Sequence, residues 1–222
     1  MTQENVYLEQ PAQQLAEKAA QLERHEALVQ QIVQLEWQAF DVVQNLGGRA
    51  SCQDDWETFS IMRSSQYRVW PSELLEKWVT EFRAASESGR NLITEKYARM
   101  MESTDPEKYV EFQQQLPVIP EDFIKIREAI VAIQVTWMDA FAERYPKLAA
   151  NARTIHTAQD SVFETSYETY LRGELTTYSF DMLYAYGRWI TSLHRDRKNL
   201  AFLIMEETVH AYGYPSLDAA EK

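Results

Sequence analysis

Apolar residues recur along this chain at helical spacing almost everywhere. From Ala27 to Leu46 the set Leu28, Ile32, Leu35, Ala39 and Val42/Val43 steps by three or four, with Val29 and Phe40 at its edges. That is the stripe of an amphipathic helix. Upstream, Pro11–Glu23 carries Leu15, Ala19 and Leu22 on one side and is otherwise polar. Pro11 suits a first helical turn. The segment reads as a separate helix, as the start of one long helix, or as an N-terminal arm over residues 1–25 before a helical domain over 26–222.

Further helices follow. Asp54 and Asp55 are placed to cap one that runs to about Trp70. Pro71-Ser72-Glu73 stops it and opens the next, with Ser72 as the predicted N-cap. Gly89 ends that helix, Asn91 precedes another reaching about Ser103, and Asp105-Pro106 opens a short one. Pro120-Glu121-Asp122 opens the longest core helix, with Phe123, Ile126, Ile130, Ile133, Trp137 and Phe141 on one stripe. Asn151–Phe163 lacks a period and reads as a polar loop. Helices near Ser166–Leu175, Phe180–Arg195 and Asn199–Tyr212 complete the chain. No strand-like alternation stands out, so the expected fold is all-α: a single multi-helix domain of eight to ten helices with two polar loops.

Composition narrows the function classes. The 222 residues carry a net charge of −12, with 34 acidic against 22 basic side chains. Phosphate backbones and anionic lipid surfaces both call for a basic face, so neither nucleic acid nor membrane is expected as a partner. One cysteine excludes an internal disulfide framework. Met1-Thr2-Gln3-Glu4 has no basic, apolar leader pattern, and no apolar run approaches a membrane span. A cytoplasmic protein is the expectation.

Three blocks are dense in polar chemistry. The first is Gly47-Gly48-Arg49-Ala50-Ser51-Cys52-Gln53-Asp54-Asp55-Trp56, which holds the only glycine pair and the only cysteine. A glycine pair ends a helix through the left-handed region. The next helix N-terminus, with Arg49 and Ser51, suits an anion. Cys52 and Asp55 are its catalytic candidates, although neighbouring carboxylates work against a thiolate. The second block is Thr94–Met101. Lys96, Arg99 and Ser103 share a helical face at i, i+3, i+7 and would make a cationic wall beside Tyr97. A Glu95–Arg99 ion pair is the plainer reading. The third is Ser166–Glu174: Tyr167, Tyr170 and Glu174 share one side, and Glu168 and Arg172 pair on another. Phenols beside a carboxylate serve proton transfer, or simply line wet helix packing.

His156, between Arg153 and Asp160, is the remaining acid–base candidate. Glu207-Thr-Val-His210 matches half of a bundle di-iron motif, but a single copy does not make a site, so no metal is expected. No cofactor is indicated.

The blocks Arg49-Ala-Ser-Cys-Gln-Asp-Asp-Trp56, Thr94-Glu-Lys-Tyr-Ala-Arg-Met-Met-Glu-Ser-Thr104 and Thr165-Ser-Tyr-Glu-Thr-Tyr-Leu-Arg-Gly-Glu-Leu175 resemble a bacterial family known as domain of unknown function 4125. The resemblance runs from about Leu28 to Glu221. It implies a stand-alone, soluble, bacterial helical protein and brings no activity with it.

Two functions fit. One is a small-molecule enzyme or binding protein, with an anionic ligand held by Arg49, Ser51, Lys96, Tyr97, Arg99, Tyr167 and Arg172, and with Cys52, Asp55, His156, Tyr170 and Glu174 doing any chemistry. The other is a non-enzymatic interaction or regulatory protein, with a protein partner or a homodimer, in which the polar blocks are a structural network.

Overall fold

The computed structural model describes residues 4–44 and 48–222, and for residues 4–13 the backbone alone. The chain is all-α. Eleven α-helices are formed among the described residues, nine of them seven residues or longer. They are α1 (Glu4–Asp41), α2 (Trp56–Arg68), α3 (Ser72–Glu87), α4 (Leu92–Thr104), α5 (Pro106–Phe112), α6 (Glu121–Arg144), α7 (Pro146–Ala150), α8 (Tyr167–Thr176), α9 (Phe180–Arg195), α10 (Leu200–Ala211) and α11 (Leu217–Ala220). The second polar loop contains a 3-10 turn at Thr157–Gln159 and one isolated bridge between Ser161 and Glu164.

Pro11 lies inside α1, so the arm and the first core helix are one element. Residues 14–24 of α1 are exposed throughout. The helix engages the domain from Arg24 onward, where Arg24 pairs with Glu76, His25 lies 3.0 Å from Ser72 Oγ, and Glu26 pairs with Arg68. It stops at Asp41 rather than Leu46. Its buried stripe is rotated from the expected one: Val29, Ile32, Val33 and Phe40 are buried, and just past the helix end Val43 is buried whereas Val42 is exposed. Glu36 sits in that stripe and is also buried.

Caps follow local chemistry. Asp55, Asn91, Asp105, Ser166 and Ser179 each accept a backbone N–H at the start of α2, α4, α5, α8 and α9. Each such cap is worth about 1 kcal/mol. Ser72 is not the cap of α3: extended Pro71 precedes the helix and Ser72 is its first residue. Its hydroxyl instead faces the His25 ring.

α1 packs on α2 and α3, α4 on α8, α6 on α8 and α9, and α10 on α2 and α6. Trp78, Tyr67, Phe82, Phe141, Leu75, Leu175 and Leu183 are among the fully buried side chains at the centre.

Candidate functional site

The centre of the domain is ionic. Arg63 of α2 reaches α1 and α8 at once. Its Nε and Nη2 donate to the two oxygens of Glu36 at 2.6 and 2.7 Å. Nη1 donates to Gln66 Oε1 at 2.7 Å and to Glu174 Oε2 at 3.1 Å. The Tyr67 hydroxyl donates to Glu36 at 2.6 Å and accepts from Trp78 Nε1 at 2.9 Å. Gln66 Nε2 donates to Glu174 at 2.9 Å. Lys96 of α4 lies 3.5 Å from Glu174 and donates to the Tyr170 hydroxyl at 2.7 Å. Glu36, Arg63, Lys96 and Glu174 are only 1, 7, 4 and 6% exposed. Two carboxylates face two cations, and each charge has geometrically sound partners, the condition under which buried ions are tolerated.

The electrostatics follow from that closure. Burial by itself raises the Glu174 carboxyl, but Arg63 and Lys96 outweigh it and hold the pKa at about 2. Burial pushes the Lys96 ammonium down, yet Tyr170 and Glu174 outweigh it and raise its pKa. Burial lifts the Tyr97 phenol to about 12, against the pull of Lys96.

One edge of this centre opens outward. The Lys96 ammonium lies 4.3 Å from the Tyr170 ring centroid and 5.4 Å from that of Tyr97. Exposed Arg153 lies over the ring of half-buried Tyr170, 4.9 Å from its centroid. Members of the second and third polar blocks thus meet here, Lys96 and Tyr97 with Tyr170 and Glu174, whereas Cys52 of the first block is exposed.

Other candidates lie elsewhere. Arg49 is exposed and engaged: it pairs with Asp41 and Asp54 and donates to the carbonyls of Asp41 and Gln53. It fastens the end of α1 to a 3-10 turn at Ser51–Asp54, with buried Gln53 donating to Phe40 and Val43 carbonyls. Ser51 is exposed, and Asp55 is spent as the cap of α2. Gly48 takes φ +88° as a left-handed residue. Gly47 lies outside the described residues. Tyr167 points toward Gln134 on α6, not toward Glu174's partners. His156 is exposed and pairs with Asp139 at 2.9 Å. His210 pairs with Glu206, and among the described residues no three potential ligands gather to hold a metal ion.

Lys96 and Arg99 do not form one wall. Lys96 turns inward, whereas Arg99 and Ser103 line a groove on the other side of α4. Glu95 pairs with Arg90 instead of Arg99. The expected Glu168–Arg172 pair is present at 2.8 Å.

That groove, about 510 Å³, lies among α4, α5, α6 and α8. Arg99, Arg127 and Arg172 line it together with Glu102 and Glu128, and with hydroxyls from Ser103, Tyr109, Thr169 and Thr176. Arg172 binds Glu128, Glu168 and Thr157. Arg127 binds Glu128 and Thr176. Arg99 differs: it donates to the Tyr109 hydroxyl at 3.2 Å and to the Pro117 carbonyl, and pairs with no carboxylate among the described residues.

α4 and α8 approach closely enough that Gly173 has no room for a side chain. A Cβ there would stand 2.9 Å from Met100 Cγ and 3.1 Å from the Lys96 carbonyl oxygen. Alanine gains about 1 kcal/mol of helix propensity over glycine, but overpacking costs about 1–3 kcal/mol. Gly173→Ala is therefore expected to lower stability by about 1 kcal/mol in urea unfolding. An increase in stability would show that the two helices separate freely.

Sequence reasoning missed Glu36, Arg63, Gln66 and Tyr67 in the centre, and Arg127 and Glu128 in the groove. The signal was present for the first two: each is a charged residue in the register of an apolar stripe, Glu36 between Ile32 and Phe40, and Arg63 between Phe59 and Tyr67.

An all-α domain built round a neutral, buried ionic centre, with an arginine-lined groove beside it, defines the class of protein. Residues 26–222 match the model of a family described as a protein of unknown function (DUF4125). The chain belongs to that family. No curated protein and no solved structure matches it. Among the described residues no helix is long and apolar enough to cross a membrane.

Proposed function

We propose that the protein binds a small anionic molecule in the groove among α4, α5, α6 and α8. The observation that carries this reading is Arg99: a guanidinium without an acidic partner, on a groove that Arg127 and Arg172 also line. Arginine forks match carboxylate and phosphate geometry. The groove is of ligand size, within the roughly 300–1,000 Å³ of small-molecule sites. Arg127 and Arg172 are already oriented by Glu128 and Glu168, so little side-chain freedom is lost on binding.

The buried centre plays a different part in this reading. Lys96 and Glu174 are buried and do not line the groove, so neither reaches a ligand there. They fix α8 against α4 and thereby the position of Arg172 relative to Arg99. No reaction is assigned.

The test is an NMR titration of the full chain with acetate and with inorganic phosphate, repeated on Arg99→Met. Saturable shifts at groove residues in the native chain, weakened at least tenfold in the variant, are expected. Equal affinity in both would remove the groove from consideration. The helical circular dichroism of Arg99→Met, a half-buried position, serves as the folding control.

A further inference from the structure

A second cavity adjoins the arginine groove and has a more apolar lining. It measures about 470 Å³, and the two share Arg99, Ile119 and Thr176 in their walls. Leu92, Val118, Phe123, Tyr178 and Phe180 give it a mainly apolar lining. Val118 is 92% exposed on its lip, an apolar side chain with nothing packed on it. Arg99 stands at the junction, and its bond to the Pro117 carbonyl holds the 117–120 segment, which lines the second cavity and, through Ile119, the groove.

An anion held by Arg99, Arg127 and Arg172 therefore has an apolar space next to its head. From this adjacency we infer that the ligand is an amphipathic monocarboxylate, with its acid group in the arginine groove and its hydrocarbon body reaching past Arg99 into the neighbouring cavity. The inference rests on the anion-binding reading above. The charges in this cavity's own wall argue for one charge rather than two. Glu81 lines it with its carboxylate bonded to Ser179, and Glu95 lines it paired with Arg90. A second carboxylate at the tail end would meet Glu81 without a free cation to receive it.

A graded set of acids tests this. The full chain is titrated by NMR with acetate, butyrate, hexanoate and octanoate, and with suberate, the eight-carbon diacid. Each methylene moved from water to the cavity tightens binding by up to roughly fourfold. The expected result is a steady gain from butyrate to octanoate, with suberate at least tenfold weaker than octanoate. Ala84→Trp fills the apolar cavity from an exposed helical position and removes the gain while leaving acetate binding in place. Val118→Asp, at a fully solvated site, does the same by repulsion. Acetate binding with no dependence on chain length overturns the inference and leaves the anion site standing. Absence of binding by every acid overturns both. A chain-length gain that survives Arg99→Met also overturns it, because the acid group is then not read.

Discussion

Arg63→Met is expected to destabilise the protein by about 3–5 kcal/mol, the cost of removing one partner from a buried ionic cluster. The side chain is nearly isosteric in its stem, so little packing is lost. What is lost is the charge that faces both Glu36 and Glu174. Tyr67 still donates to Glu36, and Gln66 and Lys96 still face Glu174, but Glu36 keeps no cation. A loss of that size is a large share of the 5–15 kcal/mol that holds a typical domain together. Chemical unfolding measures it. The discriminating companion is Arg63→Met combined with Glu36→Gln, which removes the uncompensated charge along with its partner. The double variant should recover more than half of the loss. If the single variant costs less than about 1 kcal/mol, the centre is not sealed from water as its burial indicates.

The second large effect is a dependence on pH. In the folded chain the Glu174 pKa is held at about 2, against 4.5 for the free side chain. A depressed carboxyl contributes stability that is fully present above its unfolded pKa and is lost as pH falls through its folded pKa. The window is therefore from about pH 5 down to pH 2. The shift of about 2.5 units corresponds to a contribution on the order of 3 kcal/mol at neutral pH. Glu174→Gln keeps shape and hydrogen-bonding capacity but not charge. It should be less stable than the native chain by that order at pH 7, and the gap should close as pH approaches 2. Comparing the two proteins at each pH cancels the titration of the other carboxylates. A gap that stays constant from pH 7 to pH 3 would mean that charge on Glu174 contributes nothing and that only its size matters.

Much of the architecture is legible residue by residue. Asp55 caps α2 as its position predicts, Asp105-Pro106 opens α5, and the helices expected near Asn91 and Ser166 start there, although Ser72, the predicted cap of α3, is its first residue instead. Phe123, Ile130, Trp137 and Phe141 bury one face of α6. The block resemblance corresponds to a family match over residues 26–222. Registers were less legible. The stripe on α1 is displaced because Glu36, which looks polar, belongs to it, and Leu28 and Leu35 fall at its edge. A pattern that sorts residues only into apolar and polar assigns a buried glutamate to the surface.

The three polar blocks are a similar case. Members of the second and third do meet, but in two places. Lys96, Tyr97, Tyr170 and Glu174 gather about the ionic centre, and Arg99 and Arg172 line the groove. One helical turn separates Lys96 from Arg99 and Tyr170 from Glu174. Shared spacing places residues on a common face, but α8 packs across α4 so closely at Gly173 that the face is divided into an inner and an outer part. Arg49, the most prominent residue of the first block, is used up locally by Asp41 and Asp54.

The sequence alone determined what short-range physics controls: helical period, several caps, the glycine and proline stops, a net charge of −12, and the family. The tertiary structure decided which charges are paired. An arginine looks the same along the chain whether it faces water, as Arg49 does, seals a buried cluster, as Arg63 does, or stands without an acid beside a cavity, as Arg99 does. Those three fates depend on partners 27 and 111 residues away for Arg63, and 10 and 18 away for Arg99. Coulomb energy falls with distance through space and not along the chain, so only the packing of α1, α2, α4, α6 and α8 could assign them.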